Sequence, residues 1–385
     1  MCRCILAACI TFGFASTSFA QGAKPNTLTS KEIADGWILL FDGETTFGWG
    51  VQGPGRVENG QWLIGGGANA LVKTNATIGG DGSLRIEFRR IGQKPHSGTL
   101  VFQGHHLSLP TFADEKTWTA ELFEVKQGRL SRSSPSPGAQ KTLLLNDPTR
   151  LTAGPVRFQV DFDGQLALRN IKYKPAATQS LFTAKDLSGW KVFPGKKSEF
   201  AVIDGTINIK NGPGDLQTEK KFGDFVLQLE CISHGEHLNS GVFFRCRDGE
   251  YQNGYEAQIR NQFTDKPTQK YLLEEYDPES HKLLGKKEAL FTAVDYGTGA
   301  IYRRQPARRE VAKDNSWFTM TVVAHGNHLA TWVNGIQVTD WYDNRPRSDN
   351  ARTGCRLEAG HISLQGHDPT TNLSFKNFRI QEYPK

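Results

Sequence analysis

Two long stretches of this chain repeat one another at fixed spacing. The first opens with Leu40-Phe41-Asp42-Gly43 and reaches Gly48-Trp49; the second opens with Leu181-Phe182-Thr183 and reaches Gly189-Trp190. In both, the Trp follows the Phe by eight residues. Glu58-Asn59-Gly60-Gln61-Trp62 then parallels Ile203-Asp204-Gly205-Thr206-Ile207, and Leu84-Arg85-Ile86-Glu87 parallels Leu227-Gln228-Leu229-Glu230. Ser97-Gly98 and Ser240-Gly241 each follow that glutamate by ten residues. Like spacing predicts like folds, so the chain reads as a tandem duplication with units at 28–175 and 178–385. The linker is the short stretch 174–178. In this register Phe102 stands where Arg245 stands. The first unit also lacks a counterpart of Gly254-Tyr255-Glu256-Ala257-Gln258. The second unit is therefore expected to carry the chemistry and the first to support it.

The units read as all-β. The chain has 40 Gly and 17 Pro, spread among many short alternating runs, the pattern of strands joined by turns. Asn334-Gly335 between apolar runs signals a tight hairpin. Gly297–Tyr302 reads as a turn leading into a strand that carries Tyr302. The one helical expectation is 270–276. Glu275-Tyr276-Asp277-Pro278-Glu279 beside it resembles a glucanase strand motif, but Pro278 cannot donate to a ladder and the motif is discounted.

Compartment follows from the start of the chain. Arg3, the apolar run Ile5–Ala15 and Ser18-Phe19-Ala20 form a secretory leader cleaved near Ala20. No later segment is apolar for about 18 residues, so no stable membrane insertion is expected, and the protein is expected to be secreted or periplasmic. Three cysteines remain after the leader: Cys231, Cys246 and Cys355. An odd count excludes a fully paired disulfide framework. Cys231 and Cys246 fall on apolar strand faces and read as small buried hydrophobes. A net charge of +6 is mild for 385 residues. The one dense basic run, Arg303-Arg304-Gln305-Pro306-Ala307-Arg308-Arg309, lacks the interleaved aromatics of single-strand binders. Nucleic acid is not an expected partner.

Candidate site residues come from strand alternation. In Asn239–Arg260, Val242, Phe244 and Cys246 share an apolar face, leaving Phe243 and Arg245 on the other. Glu256, Gln258 and Arg260 are the polar side of the next strand. Gln228 and Glu230 are the polar side of Phe225–Ser233. If these three strands are neighbours, one face presents Gln228, Glu230, Arg245, Glu256 and Gln258 together. Two carboxylates, an arginine and two amides suit a face that hydrogen-bonds sugar hydroxyls. Gln365 and His367 flank Gly366 at a strand end, where side chains can project over a cleft. His367-Asp368 alone is a weak metal signal. No cofactor is expected.

The second unit resembles the 3-keto-disaccharide hydrolase domain family. The matching pieces are Leu181-Phe182 with Gly189-Trp190, Asn239-Ser240-Gly241-Val242-Phe243-Phe244-Arg245, Gly254-Tyr255-Glu256-Ala257-Gln258-Ile259, Gly299-Ala300-Ile301-Tyr302, Asn334-Gly335 and Gly360 to His367. The first unit matches only over Gly36–Gly43 and around Glu87 and Ser97-Gly98. The resemblance implies two concanavalin-like jelly-roll β-sandwiches in tandem, a carbohydrate substrate, and cleavage of glycosides oxidised at sugar carbon 3. It leaves the use of a divalent metal open. On that reading Glu256 is the base, Arg245 with Gln258 holds the ketone oxygen, His367 is the alternative base, and Tyr302 protonates the leaving oxygen. Glu230, Gln228, Asn239 and Gln365 would contact the sugar. Hydrolysis with paired carboxylates and elimination across C1–C2 both fit this set. A lectin-like module that binds without cleaving, or a structural cell-surface protein, are the alternatives from other classes.

Overall fold

A computed structural model describes residues 24–92, 98–109, 117–135, 138–161, 164–176 and 179–383. The expected leader, Ser97 and positions 177 and 178 of the expected linker lie outside the described residues. The first half contains β1 (Ile38–Leu39), β2 (Trp49–Gln52), β3 (Gly55–Glu58), β4 (Gln61–Gly65), β5 (Ala70–Thr74), β6 (Gly82–Ile91) and β7 (Gly98–Phe102). It continues with β8 (His105–Leu109), β9 (Thr119–Lys126), β10 (Arg129–Ser133), β11 (Thr142–Leu145), β12 (Arg157–Val160) and β13 (Gln165–Pro175). The second half contains β14 (Gln179–Ser180), β15 (Trp190–Val192), β16 (Glu199–Ile203), β17 (Thr206–Lys210), β18 (Gly214–Thr218), β19 (Phe225–Ser233), β20 (Ser240–Cys246) and β21 (Tyr255–Ile259). A hairpin follows, β22 (Gln269–Tyr276) and β23 (Leu283–Phe291). Then come β24 (Phe318–His325), β25 (His328–Val333), β26 (Ile336–Tyr342), β27 (His361–Gly366) and β28 (Asn372–Glu382).

Each half folds into an eight-stranded and a five-stranded antiparallel sheet. In the first half the orders are β3-β4-β13-β6-β9-β10-β11, with β1 on β13, and β2-β5-β12-β7-β8. In the second they are β16-β17-β28-β19-β24-β25-β26, with β14 on β28, and β15-β18-β27-β20-β21. Taken in chain order the two sets correspond strand for strand once the β22–β23 hairpin is set aside. The fold is two jelly-roll sandwiches in tandem. The Asn334-Gly335 turn closes the β25–β26 hairpin, with φ of +46° and +74° and Val333 opposite Ile336. No helix among the described residues is long and apolar enough to cross a membrane. Cys231, Cys246 and Cys355 are free and buried.

Two expectations fail here. Residues 270–276 form strand β22, not a helix. The run Lys-Tyr-Leu-Leu-Glu-Glu-Tyr has no clean period, and its stabilising partners lie across the ladder: Lys270 with Glu288 and Glu274 with Lys286, both 3.0 Å apart. The match of Arg245 to Phe102 is one residue out. In the ladders Gly98 pairs with Leu109 as Ser240 pairs with Ile259, and Leu100 pairs with Phe158 as Val242 pairs with Leu364. Arg245 therefore corresponds to Gln103, and both have left-handed φ, +52° and +48°.

Arg245 is also not on the polar face of its strand. Its left-handed backbone sits in a register shift between Phe243 and Cys246 and turns the side chain inward. The guanidinium is fully buried. It donates to the carbonyls of Gly223 (3.1 Å), Gly326 (2.8 Å) and Arg356 (2.9 Å) and to Asp224 Oδ1 (2.8 Å). Gly360 lies across this kink, and a Cβ there would come within 2.3 Å of the Arg245 backbone. Gln103 does the smaller version of the same job, donating to Gly80 O at 2.6 Å.

The eight-stranded sheet of the second half is buried on both faces. Leu227, Leu229, Val322, Leu329 and Val333 pack into its own sandwich. Val226, Val323, Ala330 and Trp332, with Tyr383, join the core of the first half. Trp332 Nε1 donates to Leu39 O (2.9 Å) and Tyr383 Oη to Thr77 O (2.9 Å). Arg308 and Arg309, the end of the basic run, bind Asp42 (2.7 Å) and Glu44 (3.1 Å) of the first half.

Two stability outcomes follow from this packing. Trp332→Ala should cost about 3–5 kcal/mol in urea unfolding, as deletion of a buried aromatic does; a loss below about 1 kcal/mol would mean the halves do not share a core. Arg245→Met leaves three carbonyls and Asp224 without their donor, and should cost more than about 2 kcal/mol by the same measurement. A neutral result there would contradict a structural role for the guanidinium.

Candidate active site

The five-stranded sheet of the second half keeps one face for its core and turns the other outward. The outward rows follow from the register. Gln217 lies opposite Ser363, Ser363 opposite Phe243, and Phe243 opposite Glu256. One step along, Asp215 lies opposite Gln365 and Gly241 opposite Gln258. Although this face points away from the core, all of these side chains are buried. The cover is irregular chain: the β20–β21 loop around Gln252 and Gly254, the segment Asp295–Arg304 after the β22–β23 hairpin, and the loop at Ala351-Arg352.

Beneath this cover is a cavity of about 260 Å³, lined in part by Asn239, Phe243, Glu256, Tyr302, Arg352 and Gln365, with His367 at its edge. The volume suits one sugar ring. Glu256 is its central ionisable group. The carboxyl has no hydrogen-bond or ion-pair partner among the described residues. Burial is the main cause of a pKa raised to about 8, with Arg352 pulling it down and Asp295 pushing it up. The fit around it is tight: a Cβ on Gly241 would lie 2.5 Å from Glu256 Oε1, so only glycine leaves room for the carboxyl. Burial likewise raises Asp215, three strands away, to about 6.

The segment over the sheet is held in strained backbone. Asp295 and Tyr296 both have left-handed φ, +47° and +70°. Asp295 Oδ2 accepts from Asn239 Nδ2 at 3.0 Å, and the Asp295 carbonyl accepts from Gln258 Nε2 at 3.1 Å. Tyr271 Oη of the hairpin donates to Ala293 O (2.7 Å), accepts from Tyr296 N (2.9 Å), and its ring lies 4.4 Å from that of Tyr296. Tyr302 sits in a turn between the bridging residues Ile301 and Gln305, not in the expected strand. Its N–H donates to Glu256 O at 2.9 Å, and its ring lies 5.1 Å from Tyr296 and 5.3 Å from the Arg303 guanidinium. Burial raises its phenol pKa. Among the described residues Arg303 and Arg352 have no carboxylate partner, so the cavity is positive at its mouth. Gln258 Oε1 and Gln365 Oε1 are buried acceptors without a donor.

Of the sequence-derived candidates, Glu256, Tyr302, Asn239, Gln365 and His367 line this one cavity. Gln258 lies beside it, tied to Asp295. His367 is the most exposed of them, and its Nδ1 is 2.8 Å from Asp368 Oδ2. Three candidates are elsewhere. Arg245 is the structural kink described above. Gln228 and Glu230 are on β19, which belongs to the other sheet. Gln228 is buried under the first half, donating to Gly36 O (2.9 Å) and Thr321 Oγ1 (3.1 Å), while Glu230 meets Asn377 (2.6 Å) and Lys376 (3.5 Å). The structure adds Arg303, Arg352, Asp295 and Asp215, which alternation did not single out. Arg303 lay in the basic run, but nothing in the local pattern marks Arg352. Among the described residues no group of three or more His, Cys, Asp or Glu gathers as a metal site.

Several solved structures are similar to about half of this chain. A Parabacteroides distasonis protein described as a glycosyl hydrolase matches at 21% identity over 53% of this chain and 93% of its own, with a TM-score of 0.39. The carbohydrate-binding module CBM66 of Bacillus subtilis matches at 13% identity over 52% and 99%, TM-score 0.33. A prokaryotic β-1,3-1,4-glucanase from a mouse hindgut metagenome matches at 16% identity over 51% and 95%, TM-score 0.28. No curated protein matches the sequence. A family model does: it describes a 3-keto-alpha-glucoside-1,2-lyase-like domain and spans residues 177–381, more than half of the chain and the whole of the cavity. The chain belongs to the 3-keto-alpha-glucoside-1,2-lyase-like domain family.

Proposed function

We propose that this protein is a secreted enzyme that cleaves the glycosidic bond of a 3-keto-glycoside by elimination in the cavity over β20, β21 and β27. The observation that carries the reading is Glu256, a buried carboxyl with no partner, opening onto a sugar-sized cavity with an arginine nearby. A ketone at C3 makes the hydrogen on C2 acidic, because the electron pair left behind spreads onto the ketone oxygen as an enolate. The Glu256 carboxylate takes that proton. The pair then forms the C1–C2 double bond and expels the oxygen on C1. Tyr302, kept protonated by its burial, donates its phenolic proton to that departing oxygen. Water added across the double bond completes a net hydrolysis.

The enolate oxygen needs a donor. Arg245 cannot serve, since its N–H groups are spent on backbone carbonyls and Asp224. Arg352 takes that role in our reading: it lines the cavity, is the leading charge that lowers the Glu256 pKa, and has no carboxylate partner. One such donor contributes roughly 3–4 kcal/mol in comparable oxyanion sites. The buried acceptors Gln365 Oε1 and Gln258 Oε1 are suited to sugar hydroxyls, each orphan otherwise costing about 1–3 kcal/mol.

The test is release of glucose from 3-keto-trehalose by the purified protein. Glu256→Gln keeps the shape of the protonated side chain, so it should leave the fold intact and lower kcat by a factor on the order of 10²–10⁴. Near wild-type turnover in that variant, with loss in His367→Ala, would assign the base to His367 instead. The pH profile gives an independent check. A base with a pKa of about 8 is mostly protonated at neutral pH, so kcat/KM should rise with pH and level off above about 8. The sign for stability is opposite. The folded state holds this proton more tightly than the unfolded chain, so the contribution is complete below the ordinary value of 4.5 and is lost as pH rises through about 8. A flat kcat/KM between about pH 6 and pH 9 would contradict Glu256 as the base.

A further inference from the structure

A second cavity, about 430 Å³, opens beside the first. The β22–β23 hairpin forms one wall and the end of β26 the other. Arg303 and Arg304 line both cavities. The two are therefore compartments of one cleft, separated by two consecutive arginines.

The lining of the second compartment combines apolar surface with acceptors and donors. Leu272 and Leu284 are 59% and 68% exposed, far more than strand leucines facing a core. Across from them stands the half-buried indole of Trp341. These surfaces suit the C–H faces of a sugar ring. Glu274 is held by Lys286 (3.0 Å) and by Tyr276 Oη (3.1 Å). The Glu275 carboxylate is exposed and has no partner among the described residues. Two carboxylates, Glu274 and Glu275, and two arginines, Arg303 and Arg304, line the space, so it offers hydrogen bonds of both kinds and no single sign of charge. That is the recognition chemistry of a neutral polyol.

We propose that this second compartment is the subsite for the leaving sugar. The 3-keto ring lies over Glu256, and the sugar attached through its C1 lies beyond Arg303 and Arg304, between the hairpin and Trp341. The assignment rests on the reading of the first cavity as the place of cleavage. It makes the substrate a disaccharide or longer saccharide, recognised on both sides of the scissile bond. It also gives the hairpin, which has no counterpart among the described residues of the first half, a role in specificity.

The experiment compares three substrates that share the 3-keto-glucosyl ring: the methyl glycoside, 3-keto-trehalose and the para-nitrophenyl glycoside. Trp341→Ala and, separately, Glu275→Ala are measured against the wild type. KM for 3-keto-trehalose should rise about tenfold, the loss of one or two good contacts, while kcat/KM for the methyl glycoside stays unchanged. Glu275 is on an exposed strand position, so its variant decides the matter if Trp341→Ala fails to fold. A rise for the para-nitrophenyl glycoside alone would replace the sugar with an aromatic leaving group and overturn the proposal. Equal effects on all three substrates, or none, would overturn the subsite and leave cleavage over Glu256 standing. No turnover of any of the three by the wild type would overturn both.

Discussion

The arrangement of this molecule depends on one sheet buried on both faces. β19, β24 and β25 send Leu227, Val322 and Leu329 one way, and Val226, Val323, Ala330 and Trp332 the other. A sheet covered on both sides has no face left for water or ligand. The Trp332 indole, donating to Leu39 O inside the apolar contact, ties the halves together with its own N–H paired. Chemistry in the second half is thereby confined to the outward face of the five-stranded sheet. The same contact takes up half of the basic run: Arg308 and Arg309 pair with Asp42 and Glu44 across the seam.

On that outward face the decisive quantity is desolvation. A carboxyl buried without a partner is costly in its charged form, and proteins ordinarily pair it or leave it in water. Glu256 has neither remedy. Gly241 leaves room for it, Asp295 repels its charge, and Arg352 only partly compensates. Nothing in the packing requires an acid there. A strongly perturbed group in a cleft, set by burial and named charges, is the signature of a site kept for function at some cost in stability. The paired left-handed residues Asp295 and Tyr296 belong to the same pattern, since their strain holds the segment that closes the cavity.

Much of this was legible in the sequence. Alternation of period 2 marked β19, β20 and β21, and the apolar faces it named are buried. Glu256, Gln365, Asn239, Tyr302 and His367 lie around one cavity. What was not legible depends on which strands meet. β19 and β20 follow each other in the chain but belong to opposite sheets, so Gln228 and Glu230 never join Glu256. Alternation also assumes an unbroken ladder, and the left-handed residue at 245 breaks it, turning a predicted ligand-binding arginine into a structural one. The strand β22 was misread because its ion pairs are cross-strand. Arg352 had no local signal, since loop residues reach a site through the path of the chain, not through periodicity.

The duplication sharpens the point about loops. Pair-for-pair matching of the ladders places His106 where Glu256 stands, Ser108 where Gln258 stands, Arg157 where Ser363 stands, and Gln159 where Gln365 stands. In the first half those four side chains are exposed; in the second their counterparts are buried. The ladders beneath are alike, so the sheet cannot be the cause. The difference is the chain between β21 and β24, which carries the hairpin, Asp295, Tyr302, Arg303 and Arg304, whereas β8 and β9 are joined by a short connection. Burial of the face, the elevated Glu256 pKa and the cavity itself all follow from that cover. The scaffold supplies a row of aligned outward positions in both halves, and an insertion turns one of them into a covered, charged pocket while the other stays exposed.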